Sequence, residues 1–136
     1  MELSFFHHQL QFSRYFTKKL NERLSEIGLY QSQWQIVYYL KHYGASTLVE
    51  ISRYLNVEKP TITRTVDRLE KNLLIEKISS QDKRERKIKL TEKGNQVYEK
   101  AIEVVDAFEK ELMLGISKDE LNTSLRIIKT LKERLQ

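Results

Sequence analysis

Apolar residues recur along this chain mostly at helical spacing. Phe12, Phe16, Leu20, Leu24 and Ile27 follow at intervals of three or four, which stacks them on one face of a helix, and Gly28 marks its end. Phe5, Phe6 and Leu10 extend that surface toward the N-terminus. A second helix is predicted from about Gln31 to His42, with Trp34, Val37 and Leu40 or Tyr38 inward and Gly44 as its stop. Thr47-x-x-Glu50 is a capping box: hydroxyl and carboxylate each satisfy a free backbone amide, and a third helix follows with Leu48, Ile51 and Leu55 toward the core. After a short break at residues 56–59, Pro60 restarts a helix in its first turn, where a missing N–H costs nothing. Two helices joined so tightly must cross steeply, as in a helix-turn-helix.

The fourth helix separates its faces cleanly. Ile62, Val66, Leu69 and Leu73 gather on one side, Arg64 stands opposite them, Asp67 and Lys71 share its outer face, and Thr61, Thr63, Thr65 and Arg68 flank it. Asn72, at the helix end, can take the left-handed conformation almost as glycine does. Strand-like alternation then takes over. Residues 74–79 read as one strand, 80–85 as a turn and 86–90 as a second strand, with Ile88 and Leu90 inward and Lys87 and Lys89 outward. Beyond Thr91, a natural cap, a fifth helix carries Val97, Ala101, Val104, Val105, Phe108 and Leu112, its apolar face widened by Tyr98 and Ile102. Gly115 ends it. Ser117-x-x-Glu120 opens a sixth helix in which Leu121, Leu125, Ile128, Leu131 and Leu135 approach a heptad pattern. The fold class is therefore mainly α with a small β-hairpin wing: a winged helix-turn-helix over 31–94, flanked by helices at 1–28 and 95–136.

Those flanking helices hold more apolar surface than a 136-residue chain can cover by itself. A homodimer is expected, with Phe5, Phe6, Leu10, Phe108, Leu121, Leu125, Ile128 and Leu131 at its interface; an intramolecular bundle is the plainer alternative. Only four glycines and one proline argue against disorder or a β-rich fold. The absence of cysteine removes disulfides, thiol sensing and Cys-ligated zinc. No apolar run approaches the roughly 18 residues of a spanning helix, and residues 1–11 lack the basic-then-apolar order of a signal peptide. A cytoplasmic protein with no membrane contact is expected.

Charge becomes informative once located. Lys59 to Lys89 holds ten basic and five acidic side chains, so the whole net charge of +5 lies in the helix-turn-helix and hairpin. A surplus confined to one motif is the footprint of a polyanion site. An arginine amid small hydroxyls suits a helix in a DNA major groove, where guanidinium forks onto guanine and threonine meets phosphate or a thymine methyl. Arg84, at the hairpin tip, is placed to enter a minor groove. The candidate DNA contacts are Lys59, Thr61, Thr63, Arg64, Thr65, Arg68, Lys83, Arg84 and Arg86. A partner protein remains a second reading, although such a surface normally carries more aromatic or aliphatic anchors.

The stretch DKRERKIKLTEKG, Asp82 to Gly94, resembles the wing signature of the MarR (multiple antibiotic resistance) regulator family: Asp-x-Arg, alternating apolar residues, then Leu-Thr-x-x-Gly. Asp82, Arg84, Ile88, Leu90, Thr91 and Gly94 match it, and PTITRTVDRLEKNLLIEK resembles the family's recognition helix and strand entry. Asn72 departs from the pattern, standing where many members have glycine. The resemblance implies a homodimeric regulator on double-stranded DNA with a pseudo-palindromic operator. Such regulators are usually repressors and are often released by small phenolic or lipophilic ligands. It also implies that Arg84 is the minor-groove residue and Asp82 its local organiser, through an ion pair with a nearby arginine. An activator would have the same sequence features.

Phe16, Trp34, Tyr38 and His42 form a candidate pocket for a small aromatic effector, since pockets are apolar with a few placed polar groups; an ordinary core stripe has the same spacing. Enzymatic readings find no support: there is no phosphate-binding glycine loop, H-E-x-x-H or nucleophile elbow. No cofactor or catalytic residue is expected. His7 and His8 diverge on a helix and only His42 lies elsewhere, so no His-rich metal site can form; a mixed His/Glu site between subunits is the metal-responsive alternative.

Overall fold

A computed structural model describes residues 3–79, 81 and 84–136. Among them, in chain order, are α1 (Phe5–Ser25), α2 (Gln31–Tyr43), β1 (Ser46–Thr47), α3 (Leu48–Leu55), α4 (Lys59–Lys71), β2 (Ile75–Ile78), β3 (Lys87–Leu90), α5 (Glu92–Leu112) and α6 (Lys118–Leu135). The chain divides into two compact units, 1–106 and 107–136.

In the first unit the helix ends follow local chemistry. Gly28, at φ 76°, closes α1 with paired bonds from the Leu29 and Gly28 amides to the Leu24 and Ser25 carbonyls. Asn56 does the same for α3 at φ 54°. The Thr47–Glu50 box forms as expected, with N–H to oxygen distances of 3.0 and 3.1 Å. Leu24, Ile36, Val37, Ile51, Val66, Leu69 and Ile88 are essentially inaccessible, so α1 to α4 and the sheet share one core.

The end of α4 differs from expectation in two ways. Asn72 keeps a negative φ of −84°, and the left-handed residue is Leu73, at φ 65°. Leu73 is also 65% exposed rather than inward. The reason is that the core continues through Leu74, 5% exposed, whose amide reaches back to the Leu69 carbonyl at 3.0 Å while the Leu73 amide reaches Glu70 at 2.9 Å. Turning Leu74 and Ile75 inward places the reversal one residue later than the side-chain chemistry of Asn72 suggests.

The hairpin gains a strand that sequence periodicity missed. β1 pairs antiparallel with β3, Ser46 opposite Ile88 and Thr47 opposite Lys87, while β2 pairs with the other side of β3. The order is β1-β3-β2. The Leu48 amide donates to the Arg86 carbonyl at 3.1 Å, so the base of the wing is fastened to the start of α3. Thr91 accepts from the Gly94 amide at 3.0 Å and so caps α5; its own hydroxyl donates to the Leu73 carbonyl.

In the second unit, Gly115 at φ 82° separates α5 from α6, and the Ser117–Glu120 box starts α6 with bonds of 3.0 and 3.1 Å. No side chain of α6 is buried.

Candidate nucleic-acid interface

Helix α4 and the wing present the cationic surface. Ile62, Val66 and Leu69 anchor the inner face of α4, which leaves Arg64 exposed on the other side. Arg64 donates to the Thr61 hydroxyl at 3.3 Å, and Thr63 donates to the Lys59 carbonyl at 3.0 Å. Both hydroxyls therefore have partners within the helix while remaining partly accessible. Thr65, expected beside Arg64 on the exposed flank, is only 9% exposed, so it cannot present itself to a groove as proposed from sequence. Its hydroxyl satisfies itself on the Thr61 carbonyl at 3.0 Å, which lets a polar side chain join the core.

The fold brings Lys59, Thr63, Arg84 and Arg86 together around one cleft of about 160 Å³, with Thr47, Leu48, Val49 and Glu85. Arg68 is exposed and lines a separate polar cleft of about 240 Å³ with Thr65, Asn21 and residues 30–33. Arg84 is exposed in the segment between β2 and β3. Lys83 and Asp82 lie outside the described residues, as does the proposed ion pair of Asp82.

Arg86 has partners that its sequence neighbours do not announce. One guanidinium nitrogen lies 2.8 Å from Asp67 and the other 2.7 Å from Glu70, both on α4. These are distances of charge-assisted hydrogen bonds. Burial works against the charge, but the bonds to Glu70 and Asp67 outweigh it, and the Arg86 pKa stands above its ordinary value.

The expected pocket residues divide. Trp34 packs on Tyr38 with centroids 5.5 Å apart, and Tyr38 on His42 at 4.2 Å. Tyr98 of α5 completes this cluster, stacked on Trp34 at 5.6 Å and 6.4 Å from His42. Its place on the broad face of α5 was the available signal. Desolvation raises the Tyr98 pKa, while Lys41 sits 5.3 Å over its ring. Phe16 stacks on Phe12 at 5.8 Å. A second ring cluster joins Tyr39, Tyr43 and Tyr54, and the neighbouring Tyr43 raises the Tyr54 pKa.

Of the expected interface residues, Phe5, Phe6 and Leu10 are 53–62% exposed, Leu121 and Leu125 are 37% and 45% exposed, and Ile128 and Leu131 are half-buried. Phe108 is 5% exposed within a single chain, so it belongs to the chain's own packing and is not available to a partner as expected. Among the described residues, no cluster of three or more His, Asp or Glu is arranged to hold a metal ion, and no helix is long and apolar enough to cross a membrane.

The MarR family model matches residues 29–86. The uncharacterized HTH-type transcriptional regulator YwoH of Bacillus subtilis is 44% identical over 107 residues, 78% of each chain. The structure of Staphylococcus aureus MarR in complex with salicylate and kanamycin has a TM-score of 0.85 and 29% identity, covering 96% of this chain and 89% of that one. A mutant MarR from E. coli complexed with operator DNA gives a TM-score of 0.77 at 25% identity, covering 95% and 99%.

Proposed function

The chain belongs to the MarR family of transcriptional regulators, and from that premise we propose that it is a homodimeric repressor of a pseudo-palindromic DNA operator in the cytoplasm. The observation that carries this reading is the joining of Lys59, Thr63 and Arg84 on one cleft beside the exposed Arg64, where the chain concentrates its positive charge. Region 31–94 reads DNA, α4 in the major groove through Arg64 with support from Lys59, Thr61 and Thr63, and Arg84 in the flanking minor groove. Lys83 and Arg68 add charge toward phosphates. The relative crystallised with operator DNA supports the same use of the fold.

A second copy covers the apolar surface that α1 and α6 leave exposed, at Phe5, Phe6, Leu10, Leu121 and Leu125. Two copies place two recognition helices on half-sites about one DNA turn, roughly 34 Å, apart. Release comes from a small aromatic ligand entering beside Trp34, Tyr38, His42 and Tyr98 and altering that spacing. The salicylate-bound relative supports this class of effector. Full switching needs about 5.5 kcal/mol of preference for the incompetent state.

The test is a mobility-shift titration against DNA from around the protein's own gene at two salt concentrations, with sedimentation at the same protein concentrations. Expected are a dimer, a sequence-dependent shift and affinity that falls steeply with salt. Failure to distinguish that DNA from a scrambled duplex would reject the reading. Trp34 is the only tryptophan, so its fluorescence should respond to an added phenol that also releases the DNA.

A further inference from the structure

Position 86 joins three elements. Its carbonyl holds the first amide of α3, its chain enters β3, and its guanidinium spans two carboxylates on α4. The side chain is 27% exposed, whereas Asp67 is 58% exposed and lies one turn after Arg64 on the same side of α4. A carboxylate there would repel DNA phosphates unless neutralised.

We propose that Arg86 is a positioning residue for DNA recognition: by forking onto Asp67 and Glu70 it fixes the wing against α4 and masks two carboxylates that would otherwise oppose the DNA. This rests on the DNA-binding reading and deepens it, because Arg86 then acts through Arg84 and Arg64 rather than by touching DNA itself. The fork is specific to guanidinium. One nitrogen serves Asp67 and another serves Glu70, and the single ammonium of lysine cannot reproduce both bonds in that geometry. Loss of the clamp leaves the base of β3 held by its backbone, through Leu48 and the strand pairings, while the direction of the tip becomes free.

Hydroxyl-radical footprinting of the operator, with affinity measured alongside, tests this on the full-length protein. The wild type should protect the core of each half-site and, separately, a minor-groove flank reached by the wing. Arg86→Lys keeps the charge, yet it should lose the flanking protection and about tenfold in affinity, as Arg86→Gln does, while the core protection persists. Binding by Arg86→Lys equal to wild type would show a simple phosphate cation and overturn the proposal. The double variant Asp67→Asn, Glu70→Gln keeps Arg86 but removes its anchors. It makes the protein more positive, so a purely electrostatic role predicts tighter binding with the flank intact, which would also overturn the proposal; the clamp predicts loss of the flank. Because this variant retains the arginine, it decides the matter even if Arg86→Gln melts early. A wild type with no footprint on any DNA would sink the DNA reading and this inference together, whereas an intact flank in the variants sinks this inference alone.

Discussion

The α-carbon of Gly94 lies so close to Leu74 that an added Cβ would sit 2.0 Å from the Leu74 carbonyl oxygen. That carbonyl already accepts the Thr91 amide at 3.1 Å, so it cannot swing away without breaking the junction between wing and α5. Gly94→Ala should therefore destabilise the protein by about 3 kcal/mol, the upper part of the range for overpacking, as measured by urea unfolding. A loss under about 1 kcal/mol would mean that the junction yields easily.

Leu73 holds a left-handed backbone with its side chain mostly in solvent, so the conformation is costly and the side chain recovers little by burial. Leu73→Gly should stabilise the protein by about 1 kcal/mol. Asn72→Gly, at a residue with negative φ, should gain nothing. Comparing the two unfolding midpoints checks the placement of the turn, and the reverse ranking would contradict it.

The Thr47 amide, and next its hydroxyl, hold the Glu50 carboxylate below its usual pKa, and the Ser117 amide and hydroxyl do the same for Glu120. A depressed carboxylate contributes stability that is fully present above the ordinary carboxylate range and lost as pH falls through the lowered folded-state value. Glu50→Gln should flatten part of the acid limb of a stability–pH curve. Thr47→Ala, which removes the cap, should cost about 1 kcal/mol near neutrality. Identical acid limbs for Glu50→Gln and wild type would show that the box contributes no pH dependence.

Arg64 and Arg84 should separate on a randomised operator library. Arg64→Ala is expected to lose about 1–3 kcal/mol and relax preference at one position in each half-site. Arg84→Ala should weaken many sequences, most of all those with A·T-rich flanks, and lower the salt slope by roughly one counterion per wing. Preserved preference in the first variant and scrambled central positions in the second would reverse the assignments of helix and wing.

What could be read from sequence depended on how far each interaction reaches along the chain. Both capping boxes join residues three apart and were legible, as was the inward face of α4 up to Leu69. The reversal after α4 was misplaced because burial of Leu74 outweighs the local preference of Asn72. Thr65 misled for a related reason: a hydroxyl that bonds its own helix backbone can be buried as readily as an apolar side chain. The clamp at Arg86 joins residues 16 apart in sequence, through a fold that periodicity alone does not specify. β1 has two residues, too few for alternation to show.

Among the described residues, the strand order β1-β3-β2 gives β3 a neighbour on each side and leaves β2 with one edge unoccupied by the sheet. An open edge invites another chain to zip onto it, a hazard for proteins gathered side by side on neighbouring sites. β2 is four residues long, its central Glu76 and Lys77 are exposed, and Glu76 is already engaged across the hairpin with Lys89 at 3.4 Å. A strand so short and charged is a poor template for edge-to-edge pairing, so the wing can lie beside another molecule without joining its sheet to it.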